Sequence, residues 1–286
     1  MKTARKRELE ILAAQARERM VEALVCAGCG HPGGAFSSVD VMTALFFEIL
    51  RIDPAKPTWD ERDRFILSKG HSSLGLYAVM SLRGFFPREV LRTFRGDGSV
   101  LSGHPDMRKV PGVEMSTGSL GHGLSVGVGM ALAAKMDRKN HRVFILMGDG
   151  ETQEGSIWEA AMAAAHYRLD NLVGIVDRNR LQIDGATEDI MALEPYRDKW
   201  EAFGWRVKEI DGHRMGEIAA ALKDVPFHPH KPSLLISHTT KGKGISFMED
   251  NPEWHGGAPK GDLAERAGCE VRKRLERLLC QKDPSE

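Results

Sequence analysis

Short apolar, β-branched runs recur along the chain at Arg64–Leu67, Arg142–Met147, Leu172–Asp177, Trp205–Ile210 and Ser233–His238, each bounded by charge, glycine or proline. Such near-continuous apolar runs predict strands buried on both faces. Between them lie Ala-rich or amphipathic stretches of helical length: Lys6–Cys26, Val39–Leu50, Leu74–Arg83, Leu120–Met136, Ser156–Tyr167, Pro195–Phe203 and Met215–Lys223. A further amphipathic helix is expected over 262–280, with a polar tail over 281–286. The alternation predicts an α/β fold, a mostly parallel sheet with helices on both faces, which binds ligands outside the carboxyl ends of its strands. No repeat or low-complexity linker divides the chain, so a single domain over 1–286 is expected.

The length of 286 residues excludes peptide-sized and disulfide-scaffold classes. Forty basic and forty acidic residues give zero net charge, so nothing attracts nucleic acid or an anionic membrane globally. Any anion must be caught locally. The longest apolar run, Ser125–Ala134, is broken by Gly127 and Gly129 and is about half of a bilayer span, so no membrane segment is expected. The basic N-terminus interleaves with Glu8, Glu10, Glu18 and Glu22, unlike a targeting peptide, and four cysteines do not suggest an oxidised framework. A cytoplasmic location follows. Cys26-x-x-Cys29 closes a helix rather than opening one, and reads as packing rather than redox chemistry.

Glycine is what departs from average: 30 residues against roughly 20 at typical usage. The excess gathers at Gly28–Gly34, Gly70, Gly96–Gly103, Gly118–Gly129 and Gly148–Gly155, all read as turns between elements. Loops of this kind bring backbone N–H groups close to an anion, although neither GxxxxGK[ST] nor a strand followed by GxGxxG occurs. Four of the eleven histidines, His31, His71, His104 and His255, stand in those glycine or proline loops, which suggests one site lined by imidazoles. His141, His213, His228 and His230 lack that context, and the absence of HExxH and paired CxxC motifs argues against zinc.

Gly148-Asp149-Gly150 directly follows one strand, and Asn179 follows the next strand thirty positions later. A βαβ crossover would place Asp149 and Asn179 at the carboxyl ends of neighbouring strands. An acidic oxygen, an amide oxygen and nearby carbonyls suit Mg²⁺ or Ca²⁺ completed by phosphate oxygens; an ordinary Asp-Gly turn fits the same residues.

At these residues the chain closely resembles the thiamine-diphosphate-binding half of transketolases. GHPGG at Gly30–Gly34, SKGH at Ser68–His71, SGHP at Ser102–Pro105, STGSLGHG at Ser116–Gly123, GDGETQEG at Gly148–Gly155 and IDG at Ile183–Gly185 carry the resemblance, which runs from about Arg5 to Gly257. It implies that Asp149, Asn179 and the Leu181 carbonyl hold Mg²⁺, or Ca²⁺ or Mn²⁺ in its place. It further implies that His71, Gly118, Ser119, Leu120, Asp149, Gly150, Glu151, Asn179 and His255 bind thiamine diphosphate. His31, His71, His104 and His255 would surround the reacting sugar, and Glu154 would meet the catalytic glutamate across a subunit contact. Ser119 and His122 depart from the proline and glutamine usual in the fused enzymes.

The residues that would activate and pack the cofactor's aminopyrimidine lie in later domains of the fused enzymes. The chain therefore resembles the N-terminal subunit of split transketolases, whose partner supplies the pyrimidine-binding part, with two copies of each subunit expected. The expected activity is ketol transfer from a ketose phosphate to an aldose phosphate, as in the pentose phosphate pathway. A branched or sulfonated sugar substrate, and a non-catalytic paralogue that only binds the partner, are the alternatives.

Overall fold

The structure, a computed structural model, describes residues 1–280; the expected polar tail over 281–286 lies outside the described residues. Helix α1 (Thr3–Ala27) leads into α2 (Pro32–Ala44), strand β1 (Arg64–Leu67) and α3 (Ser73–Arg83). Helix α4 (His122–Met136), β2 (Val143–Gly148), α5 (Gly155–His166) and β3 (Leu172–Arg178) follow. A short hairpin, β4 (Leu181–Gln182) and β5 (Gly185–Ala186), precedes α6 (Thr187–Ile190) and α7 (Tyr196–Ala202). The described part closes with β6 (Arg206–Asp211), α8 (Met215–Lys223), β7 (Ser233–His238) and α9 (Asp262–Cys280).

Five strands form one parallel sheet in the order β1-β2-β3-β7-β6. The period of two decides which helices each strand meets. Phe144 and Leu146 of β2 point into the core shared with residues of α1, α2, α3 and α8, whereas Val143, Ile145 and Met147 point into the core shared with α4, α5 and α7. Strands β1, β2, β3 and β7 are therefore covered on both faces, as their apolar runs required, whereas β6, at the edge of the sheet, buries only Val207 and leaves Arg206 and Glu209 exposed, so the expectation of burial on both faces fails there. Helix α9 packs along α1, where Arg7 donates to the Leu278 carbonyl at 3.1 Å.

Three further expectations change. The helix expected from Val39 begins instead at Pro32, which occupies its first position, where a missing N–H costs nothing. Gly33 and Gly34 therefore belong to a helix turn and not to a loop. A Cβ on Gly33 would stand 2.8 Å from the Trp254 carbonyl oxygen, and one on Gly34 would stand 2.9 Å from Ser72 Oγ, so close approach explains both glycines. Gly127 likewise lies within α4, where a Cβ would stand 2.8 Å from the Ile145 side chain; it lets the helix press onto β2. Cys26 and Cys29 are exposed and unpaired, not packed. Among the described residues no helix is long and apolar enough to cross a membrane.

Candidate active site

The carboxyl ends of β1, β2, β3 and β7 converge on a cleft of about 310 Å³. Residues on its wall include His31, His71, Gly118, Leu120, Asp149, Gly150, Glu151, Asn179, Leu181 and His255. β2 and β3 pair in register up to Gly148 opposite Asp177, so Asp149 and Asn179 leave the ends of neighbouring strands, as their spacing implied.

Asp149 is 2% exposed, and both oxygens of its carboxylate are engaged. Oδ1 accepts from the Gly150 amide at 2.8 Å, and Oδ2 accepts from the Arg180 amide at 2.6 Å and Arg178 Nη1 at 3.2 Å. Burial, followed by the nearby Asp177 carboxylate, pushes the Asp149 carboxyl above its ordinary value. A divalent cation would reverse that balance. Asn179 donates to Asp177 at 2.9 Å through Nδ2 and accepts the Leu181 amide at 3.1 Å through Oδ1. The Leu181 carbonyl accepts from the Lys241 ammonium at 3.1 Å, so a positive charge already stands against it.

The four loop histidines form one group. The His31 ring centroid lies 5.6 Å from His71, 6.1 Å from His104 and 5.7 Å from His255, and His71 stands 5.2 Å from His255. Burial lowers the pKa of all four. Lys69 adds to the effect at His71, Arg95 at His31 and His104, and Lys241 at His255, which is pushed down to about 4. The cluster is thus neutral at pH 7 and acts through hydrogen bonds rather than fixed charge. Lysine offers only donors, so the 3.0 Å contact from Lys241 makes His255 Nδ1 an acceptor and leaves the ring proton on Nε2. His31 Nδ1 is buried with no partner among the described residues, a polar atom suited to a ligand.

This arrangement has a consequence for stability against pH. In the unfolded chain the imidazoles take up protons below about 6.5, whereas the folded cluster resists until near the lowered values. Stability contributed by these groups is full above about pH 6.5 and declines as the pH falls towards 4. Unfolding of a His255→Gln variant at pH 5 is expected to take up fewer protons than wild type, by up to about one, the half-open position of the ring limiting the effect. Urea titrations at pH 5 and pH 7.5 check this; equal pH slopes for the two proteins would refute it.

Glu151 reaches the site through the loops it ties together. Its buried carboxylate accepts from Ser68 Oγ, from the Gly121 amide at 3.1 Å and from the Gly148 amide at 2.9 Å, joining the ends of β1 and β2 to the start of α4. Gly118 is held by its neighbours: a Cβ on Gly70 would stand 2.8 Å from the Gly118 nitrogen. Ser119 and His122 are exposed and are not among the residues that line the cleft. Glu154 immediately precedes α5 and is exposed, with its side chain against Gly121 and bonded to none of the free amides of that helix.

Several residues that organise the cleft have no motif of their own. Asp177, 1% exposed, accepts from Lys69, Ser37, Asn179 and Thr239. Burial alone would raise its carboxyl, but the Lys69 ammonium holds it below the usual range. Lys69 also donates to the Gly34 carbonyl at 2.9 Å. Arg178 is buried and joins Asp149 to Glu188 and Glu194. Lys69 lies in the SKGH motif, yet only its burial beside Asp177 shows its role.

The donor set is a carboxylate, an amide oxygen and a backbone carbonyl. Among the described residues no three His, Cys, Asp or Glu side chains gather to hold a metal ion. Hard oxygens in so small a number fit a divalent cation that draws its remaining ligands from a diphosphate and water. The glycine-lined wall and the orphaned His31 nitrogen fit such a cofactor beside it.

The chain matches the family described as the thiamine diphosphate binding domain of transketolase over residues 10–273. It is 53% identical to an apulose-4-phosphate transketolase subunit of Phocaeicola vulgatus, over 94% of this chain and 96% of that one. It is 46% identical to a 6-deoxy-6-sulfo-D-fructose transketolase subunit of a Clostridium species, over 90% and 94%. Human transketolase is 38% identical over 90% of this chain, which spans 41% of the human protein. Among solved structures, the transketolase of Campylobacter jejuni superposes with a TM-score of 0.85 at 30% identity, over 97% of this chain and 46% of that one. Matched along nearly its whole length by the separate subunits among these relatives, the chain belongs to the transketolase family, as its N-terminal, thiamine-diphosphate-binding part.

Proposed function

We propose that this chain is the diphosphate-binding subunit of a two-subunit transketolase, which moves a two-carbon ketol group from a ketose to an aldose. The observation that carries the reading is the cluster of four neutral imidazoles, of which His31, His71 and His255 line the same cleft as Asp149 and Asn179 and His104 stands against His31. Asp149, Asn179 and the Leu181 carbonyl would hold Mg²⁺, or Ca²⁺ or Mn²⁺, against the diphosphate. Gly118 to Leu120, Gly150, His71 and His255 would contact the cofactor, with Glu151 fixing the loops around it. Thiamine diphosphate, when bound, supplies the nucleophilic carbon and the electron sink for breaking the ketose C–C bond.

The protein's own part is proton placement. His255, with its ring proton on Nε2, donates a hydrogen bond to an oxygen of the sugar, while His31, His71 and His104 offer neutral rings that can accept or return a proton. Glu154, exposed at the start of α5, is placed to meet a partner carrying the pyrimidine-binding part. We infer a single domain over 1–286, an assembly with two copies of both chains and, from four unpaired cysteines, a cytoplasmic location.

For the sugar, the stronger similarity favours a specialised substrate over the ordinary pentose phosphates: 53% and 46% identity to the two specialised subunits, against 38% to human transketolase. The non-catalytic alternative is disfavoured, because the motif residues for metal, diphosphate and sugar are all in place.

The test is reconstitution. The chain mixed with its partner subunit, thiamine diphosphate and Mg²⁺ should transfer a ketol group from apulose 4-phosphate, 6-deoxy-6-sulfo-D-fructose or xylulose 5-phosphate, and the chain alone should not. Cofactor binding without ketol transfer from any of these donors would overturn the reading.

A further inference from the structure

One buried network beside the cleft takes no part in the chemistry above. Strand β6 ends in Asp211-Gly212-His213, where Asp211 Oδ1 accepts from the His213 amide at 2.9 Å and the Gly212 amide donates to the His238 carbonyl at 2.8 Å. A Cβ on Gly212 would collide with Ser237 Oγ and with the Thr239 side chain, so glycine lets this turn press against the end of β7. That approach brings the partly buried His213 ring to the segment following β7.

Both ring nitrogens of His213 are committed. Nδ1 lies 2.8 Å from Asp40 Oδ2, and Nε2 lies 2.8 Å from the Thr240 amide nitrogen. A backbone amide only donates, so Nε2 accepts and the ring proton stands on Nδ1, facing Asp40. Arg17 donates to both oxygens of Asp40, at 2.8 and 2.7 Å. Burial alone would raise the Asp40 carboxyl, but the Arg17 guanidinium holds it well below the usual range, so it stays an acceptor. Arg17 and Asp40 are 1% and 6% exposed and anchor the ring in the body of the protein.

Thr240 is followed by Lys241, whose buried ammonium donates to the Leu181 carbonyl at 3.1 Å and to His255 Nδ1 at 3.0 Å. The second of these bonds leaves the His255 ring proton on Nε2. The ends of the turn are held separately, by the Thr239 amide on the Arg178 carbonyl at 3.2 Å and the Gly242 amide on the Gly33 carbonyl at 3.0 Å. Between them, the Thr240 amide meets His213.

We propose that His213 is a positioning residue for ketol transfer: it holds the Thr240 amide so that Lys241 stays against His255 and the His255 ring proton stays on Nε2. The inference rests on the ketol-transfer reading, and one of its two readouts does not depend on turnover. His213→Leu should lower kcat/KM of the reconstituted complex, with the ketose donor it uses, by about 10- to 100-fold, the range for a misplaced catalytic group. Lys241→Met should cost at least as much. Added to Lys241→Met, the His213 change should cost less than about a further threefold, because both act through one contact. Losses that multiply would make His213 merely structural and overturn the proposal.

His213→Gln, whose amide carries a donor and an acceptor at the spacing of the two ring nitrogens, should recover part of the rate. His213→Asn keeps a donor for Asp40 but is too short to reach Thr240, so it should behave as His213→Leu does, and it serves in its place if the leucine variant does not fold. The second readout is the nitrogen NMR spectrum of the complex with ¹⁵N-histidine in this chain, where the signals lost in His255→Gln identify that ring. At neutral pH wild-type His255 should carry its proton on Nε2, and both tautomers should appear in His213→Leu and His213→Asn. A wild-type pattern in these variants would overturn the proposal. Should the wild-type complex turn over no donor, the ketol-transfer reading falls, and these spectra still decide whether His213 sets the His255 proton.

Discussion

Asp149→Ala is expected to abolish metal-dependent cofactor binding while leaving the fold nearly as stable as before. Among the three oxygens assigned to the cation, only that of Asp149 carries a formal charge, and a hard divalent ion depends on it most. Loss of this ligand should weaken thiamine diphosphate binding in the presence of Mg²⁺ by at least ~100-fold, about 3 kcal/mol, and ketol transfer by on the order of a thousandfold or more. The cost to folding should be much smaller. Burial already raises the Asp149 carboxyl, so the native fold gains little from its charge, and Arg178 keeps Glu188 and Glu194 as partners. Calorimetric titration of thiamine diphosphate into the complex, with and without Mg²⁺, together with urea unfolding, checks both halves. Affinity within about threefold of wild type would remove Asp149 from the metal site.

The second large effect concerns stability. Lys69 and Asp177 are both 1% exposed and form an ion pair at the centre of the sheet's carboxyl edge. Lys69→Met would leave a buried carboxylate without its counter-charge, a change that typically costs about 3–5 kcal/mol. A protein of this size should then melt on the order of 10 °C lower. The double variant Lys69→Met, Asp177→Asn should regain most of the loss, because the uncompensated charge is gone.

The pH dependence has a definite sign. In wild type the Asp177 pKa is depressed, so the stability from the pair is present above about pH 4 and is lost as the pH falls through the lowered value. In Lys69→Met burial dominates and raises that pKa, so the gap between the two proteins should narrow as the pH falls towards 4. A single-variant loss below about 1 kcal/mol, or no recovery in the double variant, would show that the pair does not stabilise the fold as argued.

Much of this was legible from the chain. Runs such as Arg142–Met147 and Leu172–Asp177 read as covered parallel strands, because a strand buried on both faces must be apolar at nearly every position. Asp149 and Asn179 could be placed side by side because one crossover separates them. The histidine loops could be grouped because glycine and proline mark the turns that carry such residues.

Other features had no local signal. Gly33 and Gly34 look like loop residues, yet they open α2, and the reason is the Trp254 and Ser72 atoms that come against them from far along the chain. His213 lacks a motif context, but it bridges Asp40 and the Thr240 amide, and Asp40 in turn makes two bonds to the buried Arg17. That network ties α1 and α2 to the loop carrying Lys241. Nothing in the spacing of these residues forecasts it, because each partner lies on a different element.

The sequence by itself determined the strand-and-helix alternation, the loops at the strand ends and the residue types that meet a diphosphate and a sugar. Those follow from periodicity, turn chemistry and ligand hardness, which act over a few residues. The tertiary structure alone decided that Lys69 neutralises Asp177, that four imidazoles are kept neutral by burial and neighbouring cations, and that Arg95 stands over Gly103 beside them. Charge and desolvation act through space, so their outcome depends on which distant segments the sheet brings together.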